Sequence, residues 1–145
     1  MGVLQGRGLT ALRLILGFTV LSTTLHYAHN VIRAADYPQV EGIPVGVTAA
    51  LVAFAYFLFT AFGLAGYRDY LRGRHWRALA FLMVFSLSGL ASLGHFLVGV
   101  PQIPAFWFAT IFTDTASALL LWGFVTWAAT KLNRVTAADQ LSTQH

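Results

Sequence analysis

Four long apolar segments occupy most of this chain, at positions 9–34, 45–66, 78–98 and 104–131. A transmembrane helix needs about 20 mostly apolar residues to cross a hydrocarbon core about 30 Å thick, and each segment meets that length. Of the 145 residues, 57% are hydrophobic and 10% are charged, so little is left for a soluble domain. The sequence predicts an all-α integral membrane protein, a bundle of four transmembrane helices forming one domain over 1–131. Residues 132–145 are predicted to form a short, frayed polar tail on the cytoplasmic side.

The basic residues lie beside these segments and form no continuous basic stripe. Arg7 and Arg13 flank the start of the first segment, and Lys131 and Arg134 follow the fourth. The loop after the second segment, in which His75 is predicted to be exposed, carries Arg68, Arg72, Arg74 and Arg77. Basic residues favour the cytoplasmic side, so both termini are predicted inside, in a multi-pass protein of the cell (plasma) membrane. This arrangement explains the net charge of +4 without a nucleic-acid partner.

Three further features of the sequence limit its chemistry, its topology and its helix packing. The chain has no cysteine, which excludes disulfides, thiolate metal sites and thiol redox chemistry. The first segment follows two arginines, as in a signal peptide, but it is long and no small-residue cleavage site follows it. We therefore expect it to be retained as the first helix. Gly63 and Gly66 near the end of the second segment allow a neighbouring helix to approach closely.

Titratable residues concentrate at one end of the predicted bundle. The predicted topology places six of them in its outer half: His26, His29, Asp36, Glu41, His95 and Asp114. The period of 3.6 residues per turn puts polar stripes on single sides of three helices. These stripes are Ser22, His26, His29, Asn30 and Arg33, then Ser88, Ser92 and His95, then Thr110, Thr113, Asp114 and Ser117. Unpaired polar groups facing lipid are costly, so the stripes are predicted to turn inward and form an outward-opening pocket.

The leading hypothesis for this pocket is a transition-metal site. Imidazoles and a carboxylate converging from separate helices suit Zn, Cu or non-haem Fe. The predicted ligands are His26, His29, His95 and Asp114. Asn30 and Arg33 would orient the ligands, and Tyr56 would close the cavity from below. The chemistry would be redox, hydrolytic or metal handling, and whether the protein is an enzyme stays open.

Other functions use the same residues. One histidine from the first helix and one from the third would ligate a b-type haem, with Arg33 on a propionate. Asp114 beside histidines also suits a proton relay or proton-linked transport, which with only four helices implies a homo-oligomer. A small lipophilic ligand held between the helices is a related binding function. The chain would otherwise serve as a structural subunit of a larger membrane complex.

Purely structural roles account for several of these residues as well. His95 and Asp114 would then form a buried interhelical pair that fixes packing. Arg33 and Asp36 would form a surface ion pair. Serines and threonines in transmembrane helices usually bond to their own backbone. The aromatic residues explained as interfacial anchors are Tyr37, Trp76 and Trp107.

Overall fold

A computed structural model describes residues 4–142. Its α-helices are α1 (Leu9–Ile32), α2 (Val45–Leu71), α3 (His75–Ala91), α4 (His95–Val98) and α5 (Ala105–Ser142). A π-helical turn, Leu4–Gly8, precedes α1, and a 3-10 turn, Ser92–Gly94, joins α3 to α4. Four helical stretches are long and apolar enough to cross a membrane, and residues 4–142 contain no strand. The all-α prediction with four candidate spans is therefore confirmed.

The helix ends differ from the predicted ends. The second helix continues to Leu71 instead of residue 66, and the third begins at His75 instead of 78. The first ends at Ile32, followed by the 3-10 turn Ala34–Asp36. Apolar content marks the part that suits lipid, whereas backbone hydrogen bonding carries a helix on into the polar interface.

The predicted frayed tail is also wrong in its first part. The last helix is continuous through Ser142, eleven residues beyond the predicted end at 131. The remaining residues, 143–145, lie outside the described part of the chain.

The four spans form an antiparallel ring. Helix α2 packs against α3 and α1, and α5 packs against the same two helices from the other side. Helices α1 and α3 are therefore diagonal across the bundle. Short connections between consecutive spans require this up-and-down order.

The interior has an apolar half and a polar half. One half is a hydrophobic cluster that includes Leu12, Leu82, Phe85 and Leu121. It lies towards the end of the bundle at which α1 begins and α2 turns into α3. We call this the basic end because all the arginines except Arg33 lie there. Towards the opposite end, the buried residues of α1, α3 and α5 are mostly hydroxyl, imidazole and carboxyl groups. We call this opposite end the histidine end.

Helix α2 is closely packed only near the basic end. Its buried residues are Gly63, Gly66, Asp69 and Tyr70. A Cβ at Gly63 would lie 2.9 Å from the Phe85 ring, and one at Gly66 would lie 3.0 Å from Leu82. The predicted close approach at these glycines is confirmed, with α3 as the partner. The contact of α2 with α1 is looser and leaves a groove between the two helices that extends along both halves of the bundle.

The turn between α2 and α3 is short and held by ion pairs. Asp69 is buried and accepts hydrogen bonds from Arg77, with the Nη2 donating to Oδ1 at 2.8 Å. Gly73 adopts a φ of 73°, a left-handed conformation that glycine tolerates best. His75, predicted to be an exposed loop residue, is instead 5% exposed in the first turn of α3, with its ring edge-on to Tyr70. The helix starts earlier than the apolar pattern indicates, which turns His75 inward.

Candidate functional site

Asp114 lies at the inner end of the polar half, fully buried on α5. Thr23 of α1 donates a hydrogen bond to its Oδ1, and Ser92 donates one to its Oδ2 at 2.7 Å. No cation pairs with this carboxyl group among residues 4–142. Helix α3 approaches closely here because position 89 is glycine, where a Cβ would lie 2.5 Å from the Asp114 carbonyl oxygen. Hydroxyl groups from α1 and from the 3-10 turn after α3 therefore donate hydrogen bonds to both oxygens of this carboxyl.

His26 lies one helical turn beyond Thr23 and is 1% exposed. Its Nδ1 is 3.3 Å from the hydroxyl of Thr110, which lies one turn from Asp114 on α5. The Thr110 hydroxyl already donates to the Trp107 carbonyl at 2.6 Å, so its oxygen is left to accept the Nδ1–H of His26. Thr23 and Thr110 thus lie on the two sides of the gap between His26 and Asp114.

His95, at the start of α4, is the next imidazole outward. Its ring centroid is 5.4 Å from that of His26, and the two rings meet edge to face. The side-chain amide of Asn30 donates to its Nε2 at 2.9 Å. A ring nitrogen that accepts a hydrogen bond is unprotonated, which assigns the proton of neutral His95 to Nδ1.

Tyr37 joins the two outer histidines. Its hydroxyl shares a hydrogen bond of 2.8 Å with the Nδ1 of His29, and its ring lies 4.8 Å from that of His95. His29 also stacks on Trp107, with centroids 4.3 Å apart and planes 17° from parallel. Burial, and then the negative charge of Asp36, raises the pKa of Tyr37 to about 12. The phenol therefore keeps its proton throughout the physiological range.

The 3-10 turn after α1 places Tyr37 in the cluster. The Asp36 amide donates to the Arg33 carbonyl at 2.8 Å, and the Gln39 side chain donates to the Ala34 carbonyl at 2.6 Å. These bonds fold the chain back over the end of α1. Arg33 itself points outward, where its Nε donates to Asp36 at 2.7 Å. The predicted surface ion pair is confirmed, and Arg33 does not orient a histidine.

Tyr56 lies beside the cluster and not beneath it. Its hydroxyl shares a hydrogen bond of 2.9 Å with Thr24, in the groove between α1 and α2. Tyr27 separates the groove from the buried carboxyl, since its ring packs 5.9 Å from Tyr56 and its hydroxyl donates to the Ser88 carbonyl at 3.1 Å. Glu41, another predicted member of the outer group, is exposed in the loop before α2.

The structure brings together only part of the predicted metal-ligand set. His26 and His95 are neighbours, but His29 is joined to Tyr37, and no hydrogen bond links Asp114 to a histidine within residues 4–142. In the same range, no group of three or more His, Asp or Glu side chains is placed to hold a metal ion. Intervening hydroxyls, which helical phase alone does not show, keep Asp114 apart from the imidazoles.

A haem does not fit between the two nearest histidines. The rings of His26 and His95 are in edge-to-face contact at 66°, which leaves no gap for a porphyrin plane between them. Arg33, the predicted propionate partner, is engaged by Asp36.

Several residues of the site were missed by sequence reasoning. Thr23 lies next to the predicted stripe, three residues before His26, and this spacing was a usable signal. The sequence explains Tyr37 and Trp107 as interfacial anchors, whereas Tyr37 is brought to His29 by the turn at Ala34–Asp36 and Trp107 stacks on His29 from α5. The periodicity predicts that Thr110 faces the bundle interior, but it does not indicate the hydrogen bond with His26.

Comparisons of the chain with models of known protein families, with curated protein sequences and with solved structures found no match.

Proposed function

We propose that this protein handles protons in the membrane, with Asp114 as the group that takes up and releases a proton. The observation that carries the proposal is a fully buried carboxyl with hydroxyl partners and no cation among the described residues, beside a line of imidazoles. Ionisable residues inside a membrane are costly, and they commonly mark proton relays. The relay would serve proton-linked transport or proton-linked binding of a small ligand.

The proposed route runs outward from Asp114. It passes the hydroxyls of Thr23 and Thr110 to His26, then reaches His95, Tyr37 and finally His29 near the surface. Histidine suits proton transfer because one ring nitrogen can accept a proton while the other donates one. Hydrogen bonds already join His26 to Thr110 and His29 to Tyr37, and water would bridge the remaining transfers.

Asn30 is the switch element in this route. Its amide nitrogen donates to neutral His95, whereas a protonated imidazole carries N–H groups on both nitrogens. Arrival of a proton at His95 therefore requires the Asn30 amide to turn and offer its oxygen. This rotation would couple the protonation of His95 to the conformation of α1, to which Asn30 belongs.

Infrared difference spectroscopy across pH tests the proposal directly. A carbonyl band of a buried carboxylic acid is expected to change across the pH range in which the protein stays folded, because Asp114 takes up and releases a proton. It should be absent in Asp114→Asn and kept in Asp36→Asn, the matched change at the half-buried carboxyl of the ion pair with Arg33. A carboxyl band of Asp114 that ignores pH over this range would refute the relay.

The route is tested by isotope exchange. In D₂O the Asp114 band shifts when its proton is replaced, and the rate of this shift reports access to the outside. His26→Gln and His95→Gln should slow it, while His75→Gln, a buried histidine at the basic end, should leave it unchanged. Equal rates in all three variants would show that protons reach Asp114 by another path.

A transition-metal ion is the second candidate, supported by the approach of His26 and His95 to 5.4 Å. Two imidazoles from separate helices at this spacing supply half of a four-ligand shell, and release of Asn30 would free the Nε2 of His95. Elemental analysis of the purified protein tests it. One zinc, copper or iron per chain, lost in a His26→Ala, His95→Ala double variant, would favour the metal site.

We also propose the cellular setting. The arginines at the basic end support a cytoplasmic location for that end, with the histidine end facing outward in the plasma membrane. A relay ending at Asp114 has no onward path to the basic end among the described residues, whose core there is apolar. A homo-oligomer, or a partner in a larger membrane complex, would supply that path.

A further inference from the structure

A deep apolar groove runs between α1 and α2, separate from the histidine cluster. Its larger part is a cavity of about 680 Å³, open to the side of the bundle. The residues that line it include Gly17, Val20, Gly63 and Leu64. A smaller cavity of about 220 Å³ continues beyond the hydrogen bond between Thr24 and Tyr56. The larger volume lies within the range of about 300–1,000 Å³ that is typical of small-molecule sites.

The end of the groove nearest the basic end carries a cation. Arg13 lines the cavity, and its Nε donates to the Tyr67 hydroxyl at 3.0 Å, which fixes the guanidinium at the mouth. Arg13 pairs with no carboxylate among the side chains of residues 4–137. Four of its five N–H groups are therefore free for an anion, and the planar guanidinium matches phosphate oxygens in pairs.

The length of the groove matches one leaflet of a bilayer. Arg13 and Thr24 are eleven residues apart on α1, or about 16 Å at about 1.5 Å per residue. Half of a hydrocarbon core about 30 Å thick is nearly the same distance. A lipid with its headgroup at Arg13 would therefore end its acyl chain near the Thr24–Tyr56 hydrogen bond.

The arginines at the basic end favour a lipid with an anionic headgroup. Apart from Arg74 and Arg77, which pair with Asp69, the arginines of the basic end form no ion pair with side chains of residues 4–137. These are Arg7, Arg13, Arg68, Arg72 and Arg134. Basic clusters at a membrane surface attract anionic lipids.

We propose that the groove between α1 and α2 is a specific site for an anionic phospholipid of the leaflet at the basic end. Its phosphate is bound by Arg13, oriented by Tyr67, and its acyl chain fills the cavity over Gly17. The phosphate-binding end of the site, at Arg13, lies towards the basic end and away from the proton relay.

Native mass spectrometry of the delipidated full chain, given phosphatidylglycerol and phosphatidylcholine in equal amounts, tests this site. The parent should retain one phosphatidylglycerol in preference to phosphatidylcholine. Gly17→Leu should lose it, because a Cβ at Gly17 meets nothing within 4 Å and a leucine would fill the cavity. Gly123→Leu is the matched control, since Gly123 has equally open surroundings on α5. Arg13→Gln should weaken retention about fivefold.

A second filling variant, Leu64→Trp, blocks the cavity from α2, so that the test does not depend on the folding of one protein. Loss of phosphatidylglycerol in both filling variants, with an unchanged unfolding temperature, supports the site. Equal retention in the parent and in a folded filling variant overturns it. The proposal is also overturned if the two lipids are retained equally and Arg13→Gln does not change their retention. The groove would then hold a lipophilic molecule without phosphate recognition.

Discussion

Thr23 and Ser92 donate hydrogen bonds to Asp114, although hydroxyls in transmembrane helices usually donate to their own helix backbone. Most hydroxyls in this bundle donate to their own helix, as Thr19 does to the Ile15 carbonyl at 2.8 Å. Thr23, one turn further along the same helix and equally buried, donates instead to Asp114. The difference between these two threonines isolates the contribution of the carboxyl contact.

Replacing each threonine with valine should therefore have unequal effects. Thr23→Val removes a donor from a buried carboxyl and should lower the free energy of unfolding by about 1–3 kcal/mol. Thr19→Val, which removes only a bond to the helix backbone, should be nearly neutral. Thermal unfolding in detergent measures the first effect, and a shift of the Asp114 infrared band, confined to Thr23→Val, confirms its origin. Equal losses in both variants would show that Asp114 does not need Thr23.

Tyr37 links the histidine cluster to pH through its own ionisation. Its pKa of about 12 lies above the ordinary value of 10.0, so the folded protein favours the neutral phenol. The sign follows from linkage: the stabilising contribution is complete below about pH 10 and is lost as the pH rises towards the folded-state value. High pH should therefore loosen the contact between Tyr37 and His29.

Phenolate absorbance tests this shift. The titration curve of the parent minus that of Tyr37→Phe should rise near pH 12, instead of near the ordinary value of about 10. A difference curve centred at the ordinary value would mean that Tyr37 is solvated and does not lie against His29. The unfolding temperature of the parent should also fall more steeply than that of Tyr37→Phe over this range.

At the scale of elements, the contact between α3 and α5 holds the site together. A Cβ at position 89 would lie 2.5 Å from the Asp114 carbonyl oxygen and 3.0 Å from the Ala118 Cβ. The first neighbour is backbone and cannot rotate away. The approach of these helices, which places Ser92 on Asp114, therefore requires glycine at this point.

Gly89→Ala should push α3 from α5 and lower the free energy of unfolding by about 1–3 kcal/mol, the usual cost of overpacking. Gly123→Ala, at an open position on α5, should be neutral or slightly stabilising because alanine favours helix. Thermal unfolding of both variants measures the difference. An unfolding temperature for Gly89→Ala that matches the Gly123→Ala control would contradict the close packing.

At the scale of the whole molecule, the sequence predicts the features of the fold that hydropathy and helical periodicity determine. The four spans follow from apolar length, and the inward side of α1 follows from the spacing of His26, His29 and Asn30. The separation of Asp114 from the histidines does not follow, because it depends on which hydroxyls turn away from their own helix. The position of Tyr37 depends on a non-repeating turn, for which periodicity carries no information.

The orientation of the bundle is the remaining whole-molecule prediction, and the absence of cysteine makes it simple to test. Gln5 and Gln102 are both exposed glutamines, at the basic end and the histidine end respectively. Gln5→Cys and Gln102→Cys each introduce the single thiol of the chain by the same substitution. If the arginines keep the basic end in the cytoplasm, a membrane-impermeant maleimide should label only Gln102→Cys in intact cells. Gln5→Cys should react after permeabilisation. The reverse pattern would place the histidine end inside the cell, and the proton route would then begin at the cytoplasm.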